Sequence, residues 1–123
     1  MKPEVRKQTL RGESFTSEQL FIVEMWNSPE DNDVSIARAR VEPGVTTALH
    51  YLAGVDERYV ISSGNGIVEV SGLVPVEVSA GDVVIIPAGA TQRISNVGDT
   101  DLTFYCICTP RFDSACYHEV NND

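Results

Sequence analysis

Residues 44–64 read GVTTALHYLAGVDERYVISSG, and residues 81–96 read GDVVIIPAGATQRISN. Both stretches contain short runs rich in Val, Ile, Thr and Tyr between glycines and a proline, which is the pattern of β-strands joined by tight turns. Similar runs recur at roughly 8–12-residue intervals between residues 21 and 109, and Asn65-Gly66 is a strong hairpin signal. This spacing predicts an all-β protein, either a sandwich or a barrel.

No long segment has a helical period, which argues against alternating helices and parallel strands. Only Thr16-Ser17-Glu18-Gln19 has the form of a capping box, and it predicts one short helical turn. The predicted strands cover residues 21–26, 34–41, 48–52, 58–62, 67–70, 74–78, 82–86, 92–95 and 102–109.

The two quoted stretches resemble the motifs of the cupin superfamily, G-x5-H-x-H-x(3–4)-E-x6-G and G-x5-P-x-G-x2-H-x3-N. The matching residues are Gly44, His50, Glu57 and Gly64 in the first motif, and Gly81, Pro87, Gly89 and Asn96 in the second. The resemblance implies a jelly-roll β-barrel, with residues 1–123 as a single domain. Within it we expect an N-terminal extension at 1–20, the barrel at 21–109 and a C-terminal tail at 110–123.

The chain departs from the family's usual metal ligands, which are two His, one Glu and one further His. Leu52 stands at the second His position and Gln92 at the last. The resemblance therefore implies a metal set of His50, Glu57 and Gln92, in which a carboxamide oxygen is a weaker ligand than imidazole. We expect either no cofactor or one weakly held divalent metal ion.

His50 and Glu57 are also the candidate catalytic residues. Histidine titrates near neutrality and suits proton transfer, and a neighbouring carboxylate is the usual group that orients it. A hairpin is expected to bring the two together at one end of the barrel. Strand parity adds Tyr59, Gln92 and Ile94 as substrate-binding candidates, because alternate residues of a strand share a face.

Two other pairs have competing interpretations. Cys106 and Cys108 share a strand face, where they either pack in the core as small hydrophobes or line a cavity. Arg38 and Arg40 also share a face, where they either grip an anionic substrate or lie on a solvated surface. Cys116 and His118 fall in the polar tail, and no role is expected for Cys116.

The chain has 123 residues, with 18 Asp+Glu against 9 Lys+Arg and a net charge of -9. Phosphate and anionic membranes are bound by clustered Lys and Arg, so nucleic-acid and membrane partners are not expected. The odd number of cysteines and the absence of an apolar leader favour a reduced, cytoplasmic protein. Proteins similar to this one often dimerise through N-terminal strands, so we expect a homodimer in which strand 21–26 pairs outside the barrel.

Three functions remain open at this stage. The first is binding of an unknown small molecule with weak or no metal, with isomerase, epimerase or lyase chemistry carried by His50 and Glu57. The second is a divalent-metal enzyme, and the third is a non-catalytic sensor or structural protein. A fold alone does not choose among them, because one fold hosts many functions.

Overall fold

Two antiparallel sheets form the computed structural model, which describes residues 1–120. The strands are β1 (Ser14–Phe15), β2 (Phe21–Trp26), β3 (Ser35–Val41), β4 (His50–Leu52), β5 (Asp56–Ser63), β6 (Asn65–Val70), β7 (Val76–Ser79), β8 (Val83–Ile86), β9 (Gln92–Asn96), β10 (Leu102–Thr109) and β11 (Tyr117–Glu119). One short 3₁₀ helix, Ser114–Cys116, precedes β11. No helix within these described residues is long and apolar enough to cross a membrane.

The strand order is β1-β2-β3-β10-β5-β8 in one sheet and β11-β4-β9-β6-β7 in the other. Consecutive strands often lie in different sheets, so the chain crosses repeatedly from one sheet to the other, as in a jelly roll. The predicted all-β, jelly-roll barrel is therefore confirmed. The strand predictions agree with the observed strands from β2 to β10 within about two residues at each end.

Alternation of side chains along the strands builds the interior. On β10 the buried residues Leu102, Phe104, Cys106 and Cys108 alternate with residues that point outward. A large core cluster includes Ile61, Ile86, Ile94, Leu102 and Phe104, each at most 2% exposed. A smaller cluster of Leu52, Val55, Cys108 and Cys116 packs with Phe112 and Tyr117.

Gly64 shows why the first motif ends in glycine. Its φ is +91°, in the left-handed region that glycine adopts without strain. A Cβ at this position would lie 2.6 Å from the carbonyl oxygen of Asp101. The turn between β5 and β6 therefore packs directly against the chain entering β10, and only glycine fits there.

Both ends of the chain differ from the sequence expectations. β2 pairs with β3 of the same chain, and on its other edge β1 pairs only with Phe21 and Ile22, so pairing of strand 21–26 outside the barrel stays a prediction. Residues 16–19 form a tight turn and no helical turn, since Gln19 has a φ of +71° that a right-handed helix does not allow. Residues 110–120 are more than a tail, because β11 extends the five-stranded sheet beside β4.

Candidate functional site

A cavity of about 240 Å³ lies inside the barrel. Its wall combines the inward faces of β2 to β5 and β10 with the turn at residues 16–20 and the C-terminal segment around residues 112–117. The two segments outside the predicted barrel thus complete the wall. His50, Glu57 and Tyr59 all contribute to it, so the structure brings three of the predicted site residues together.

His50, the first residue of β4, is 3% exposed. Its Nδ1 lies 2.8 Å from the Ala48 carbonyl oxygen, which only accepts hydrogen bonds. The neutral ring therefore carries its proton on Nδ1 and leaves the lone pair on Nε2. The Tyr117 ring lies against the imidazole, with 5.0 Å between ring centroids. These contacts fix the orientation of a basic nitrogen at the cavity wall.

Glu57 on β5 is 7% exposed. Its Oε1 accepts a hydrogen bond of 2.8 Å from the Gln92 amide, and the Cys108 thiol lies 3.8 Å from its Oε2. Burial raises the pKa of Glu57 above its ordinary value, although the Gln92 hydrogen bond and the charge of His50 act in the opposite direction. The carboxyl group consequently keeps its proton to higher pH than an exposed glutamate.

Gln92 on β9 is fully buried and lies behind the wall. Its Oε1 accepts a hydrogen bond from the Tyr59 hydroxyl, while its amide nitrogen donates to Glu57. Burial also raises the pKa of Tyr59, so this hydroxyl remains a donor. Tyr59, Gln92 and Glu57 form a chain of hydrogen bonds in which both ends of the Gln92 amide are occupied.

His50 and Glu57 do not form the hairpin pair expected from the sequence. β4 pairs with β9 and β11, whereas β5 pairs with β8 and β10, so the two residues belong to different sheets. Among the described residues, the acidic group within 4 Å of the His50 ring is Glu18, at 3.7 Å from Nε2. Glu57 therefore does not orient His50, and the two groups reach the same cavity from different sheets.

Glu18 is the wall residue that sequence reasoning missed. Its carbonyl oxygen accepts a hydrogen bond of 2.9 Å from the Ala48 amide, which fixes the turn of residues 16–20 against the start of β4. Burial raises the pKa of its carboxyl group, the charge of His50 lowers it, and the charge of Glu57 raises it further. The capping-box pattern pointed to this segment, but nothing in the sequence linked it to His50.

The remaining candidates lie in varied environments. Ile94 is fully buried in the large core cluster and is not part of the cavity wall. Cys106 and Cys108 line the cavity, and burial raises the pKa of both thiols, which disfavours the nucleophilic thiolate. Cys116 packs in the smaller core cluster, so the expectation that it has no role is wrong: it is part of that core.

Arg38 and Arg40 lie on the outer face of β3 and do not reach the cavity. The Arg40 guanidinium binds Glu13 at 2.8 Å and Asp101 at 3.2 Å, and Arg38 lies 3.6 Å from Glu13. The N-terminal extension thus covers this face and supplies the partner of both arginines. Neither is placed to grip a substrate in the cavity.

The donor set does not fit a metal ion. Leu52 offers no ligand atom, and the Gln92 oxygen already accepts from Tyr59 while its NH₂ group is directed at Glu57. Within residues 1–120, no group of three or more His, Cys, Asp or Glu side chains is arranged to hold a metal. Of the predicted ligand set only His50 and Glu57 remain as strong donors, and Glu18 beside His50 does not complete a metal-holding group with them among the described residues.

The chain is similar in sequence to a known protein family and to a curated protein. A family model described as Cupin domain matches residues 37–108. The Oxalate-binding protein of Thermotoga maritima is 37% identical over 71 residues, and the match covers 58% of this chain and 58% of that protein. The chain therefore spans less than two thirds of the length of this curated relative.

Solved structures share the fold. The crystal structure of a predicted oxalate decarboxylase from T. maritima has a TM-score of 0.68 at 31% identity, covering 74% of this chain and 80% of that one. An uncharacterized conserved protein with a double-stranded β-helix domain from Klebsiella pneumoniae has a TM-score of 0.78 at 17% identity, covering 97% and 100%. The latter likeness concerns the fold alone.

Proposed function

Because this chain belongs to the cupin family, we propose that its barrel binds a small organic molecule and moves a proton on it without a metal ion. The observation that carries the proposal is the cavity, which has His50 and Glu57 on its wall while Gln92 is committed to Tyr59 and Glu57. At about 240 Å³ the cavity is smaller than the roughly 300–1,000 Å³ of drug-sized sites, so its ligand is small.

The two groups suit opposite roles. His50 presents the lone pair of Nε2, so it acts as the general base. Burial raises the pKa of Glu57, which shifts this carboxyl group toward the range in which it can deliver a proton as the general acid. An acid and a base on different sheets can remove a proton at one position of a bound molecule and return it at another, as an isomerase, epimerase or lyase requires.

The name of the T. maritima relative suggests oxalate as a ligand, and we do not transfer it to this chain. Oxalate carries two negative charges and is bound by cations or a metal ion. The cavity wall contains Glu18, Glu24 and Glu57, and no Lys or Arg is found among the described wall residues. A dianion would be repelled there.

A proton-exchange experiment tests the proposal. Small molecules that stabilise the protein in a thermal-shift screen with EDTA present are incubated with it in D₂O, and loss of a C–H signal is followed by ¹H NMR. We expect exchange with the wild type, at least about 100-fold slower exchange with His50→Ala or Glu57→Gln, and no change with the surface variant Glu77→Gln.

Each alternative has its own result. Exchange that EDTA abolishes would favour the divalent-metal enzyme, and ligand binding without exchange in any hit would favour a non-catalytic sensor. If no small molecule stabilises the protein, binding inside the barrel is contradicted.

We also propose that the chain acts as a homodimer. The outer face of β8 exposes Val83 and Ile85 by 57% and 67%, and in the register of the sheet Val60 lies beside Val83. Exposed apolar sheet surface of this kind marks association sites. Light scattering coupled to size exclusion should give twice the mass of the chain, and the mass of a monomer would contradict the dimer.

A further inference from the structure

The cavity wall carries negative charge without a cation to balance it. Glu18, Glu24 and Glu57 all line it, and the part of the wall that the structure describes includes no Lys or Arg. The whole chain has a net charge of -9, so its overall field adds to this local excess.

The arginines of the barrel are engaged elsewhere. Arg93 binds Glu69 at 2.7 Å, Arg40 binds Glu13, and Arg58 donates to the Thr109 hydroxyl at 2.6 Å. Arg58, Arg93 and Arg40 alternate with buried residues on their strands and point outward. Hence no arginine of these strands is available to neutralise the interior.

Two buried hydrogen-bond acceptors of the cavity wall have free capacity. The Nε2 of His50, a residue 3% exposed, makes no hydrogen bond within residues 1–120, and Glu18 Oε2 lies 3.7 Å from it, beyond hydrogen-bond distance. Beyond the Gln92 amide, the Glu57 carboxyl group has the weak thiol donors Cys108, 3.8 Å from Oε2, and Cys106. The Tyr59 hydroxyl already donates its proton to Gln92 Oε1 and therefore does not donate to these acceptors.

The rest of the wall is mainly apolar and aromatic, with a few hydroxyl and amide side chains: Thr16, Ser17, Asn27, Ser35 and Ser114. The Tyr59 and Phe104 rings lie together with 4.5 Å between centroids, and Phe112 and Tyr117 line the same cavity. Aromatic faces attract organic cations, and the apolar wall favours a hydrophobic body.

Resting on the proposed function, we propose that the occupant of the cavity is an organic ammonium, meaning a protonated amine on a small apolar or aromatic body. Its N–H groups donate to His50 Nε2 and to the carboxylates of Glu18 and Glu57, and its charge balances theirs. The aromatic and apolar wall contacts the remainder of the molecule.

Three probes of one skeleton test this: benzylammonium, benzyl alcohol and benzoate. Each is titrated into the full chain, and shifts of methyl resonances from cavity residues such as Ala37 and Leu52 are followed by NMR. We expect benzylammonium to bind at least about tenfold more tightly than benzyl alcohol, and benzoate not to bind.

Matched variants locate the charge effect. Glu18→Gln and Glu57→Gln should each lower the affinity for benzylammonium by about tenfold and leave the affinity for benzyl alcohol unchanged. Glu77→Gln removes the same charge from exposed β7 and should change neither affinity. Glu18 lies on a surface turn, so its variant remains informative if Glu57→Gln folds poorly.

The outcomes separate the two proposals. Equal binding of alcohol and ammonium, tighter binding of benzoate, or an equal effect of Glu77→Gln would overturn the ammonium inference while leaving a small-molecule cavity in place. If none of the probes shifts a cavity resonance, both the inference and binding inside the barrel are contradicted.

Discussion

Substituting Tyr59 by Phe removes one oxygen atom from the hydrogen-bond chain that holds Gln92. The Tyr59 hydroxyl donates to Gln92 Oε1, and Gln92 is completely buried. A buried acceptor that loses its donor costs about 1–3 kcal/mol. We expect Tyr59→Phe to lower the free energy of unfolding by about 2 kcal/mol, which corresponds to roughly 6–10 °C in the melting temperature.

Urea denaturation followed by Trp26 fluorescence and circular dichroism measures this difference. Tyr105→Phe is the matched control, because its hydroxyl lies 3.3 Å from Gln8 at an exposed position, and its loss should cost less than about 0.5 kcal/mol. In a Gln92→Met background the acceptor is gone, so Tyr59→Phe should cost little.

Two results would refute the reasoning. If Tyr59→Phe costs no more than Tyr105→Phe, the hydroxyl does not support Gln92. If Tyr59→Phe costs the same with Gln92 or Met at position 92, the two side chains are not coupled.

Three other perturbations follow from the same structure. Burial raises the pKa of Glu57 above 4.5, so the protonated carboxyl contributes to the stability of the folded state at low pH. Relative to Glu57→Gln, the wild type should lose stability as the pH rises above about 4.5. A parallel pH dependence of the two proteins in urea would contradict it. Gly64→Ala should lower the free energy of unfolding by more than about 2 kcal/mol. Gly54→Ala, whose added Cβ has no neighbouring atom within contact distance, should lower it by about 1 kcal/mol. Equal losses of stability would count against the close contact at Gly64. Arg40→Ala removes the ion pair with Glu13 and should lower the free energy of unfolding by about 1 kcal/mol in low salt and by less in high salt. A loss of stability that does not depend on salt would argue against an ionic contribution.

Much of the fold was predictable because its signals are local. The turn at Asn65-Gly66 and the alternation along residues 102–109 each depend on a few consecutive residues. The motif spacing placed His50 and Glu57 on strands, and strand parity placed Tyr59 on the side of Glu57. All three residues do line the cavity.

The rest depends on contacts between distant parts of the chain. Residues 117–119 are too few and too polar to predict a strand, yet they pair with β4. Glu18 reaches His50 only because its backbone binds Ala48, thirty positions along the chain. Strand parity predicted that the Ile94 side chain faces inward. Whether an inward-facing side chain packs in the core or lines the cavity depends on its depth in the barrel.

Metal content of the untagged protein, measured beside its His50→Ala variant, tests the central claim that this cupin has a metal-independent interior site. After expression with added divalent metals and dialysis, we expect clearly substoichiometric metal in the wild type and no difference in the variant. Close to one metal ion per chain in the wild type, lost on His50→Ala, would contradict the account and assign His50 and Glu57 to a metal centre.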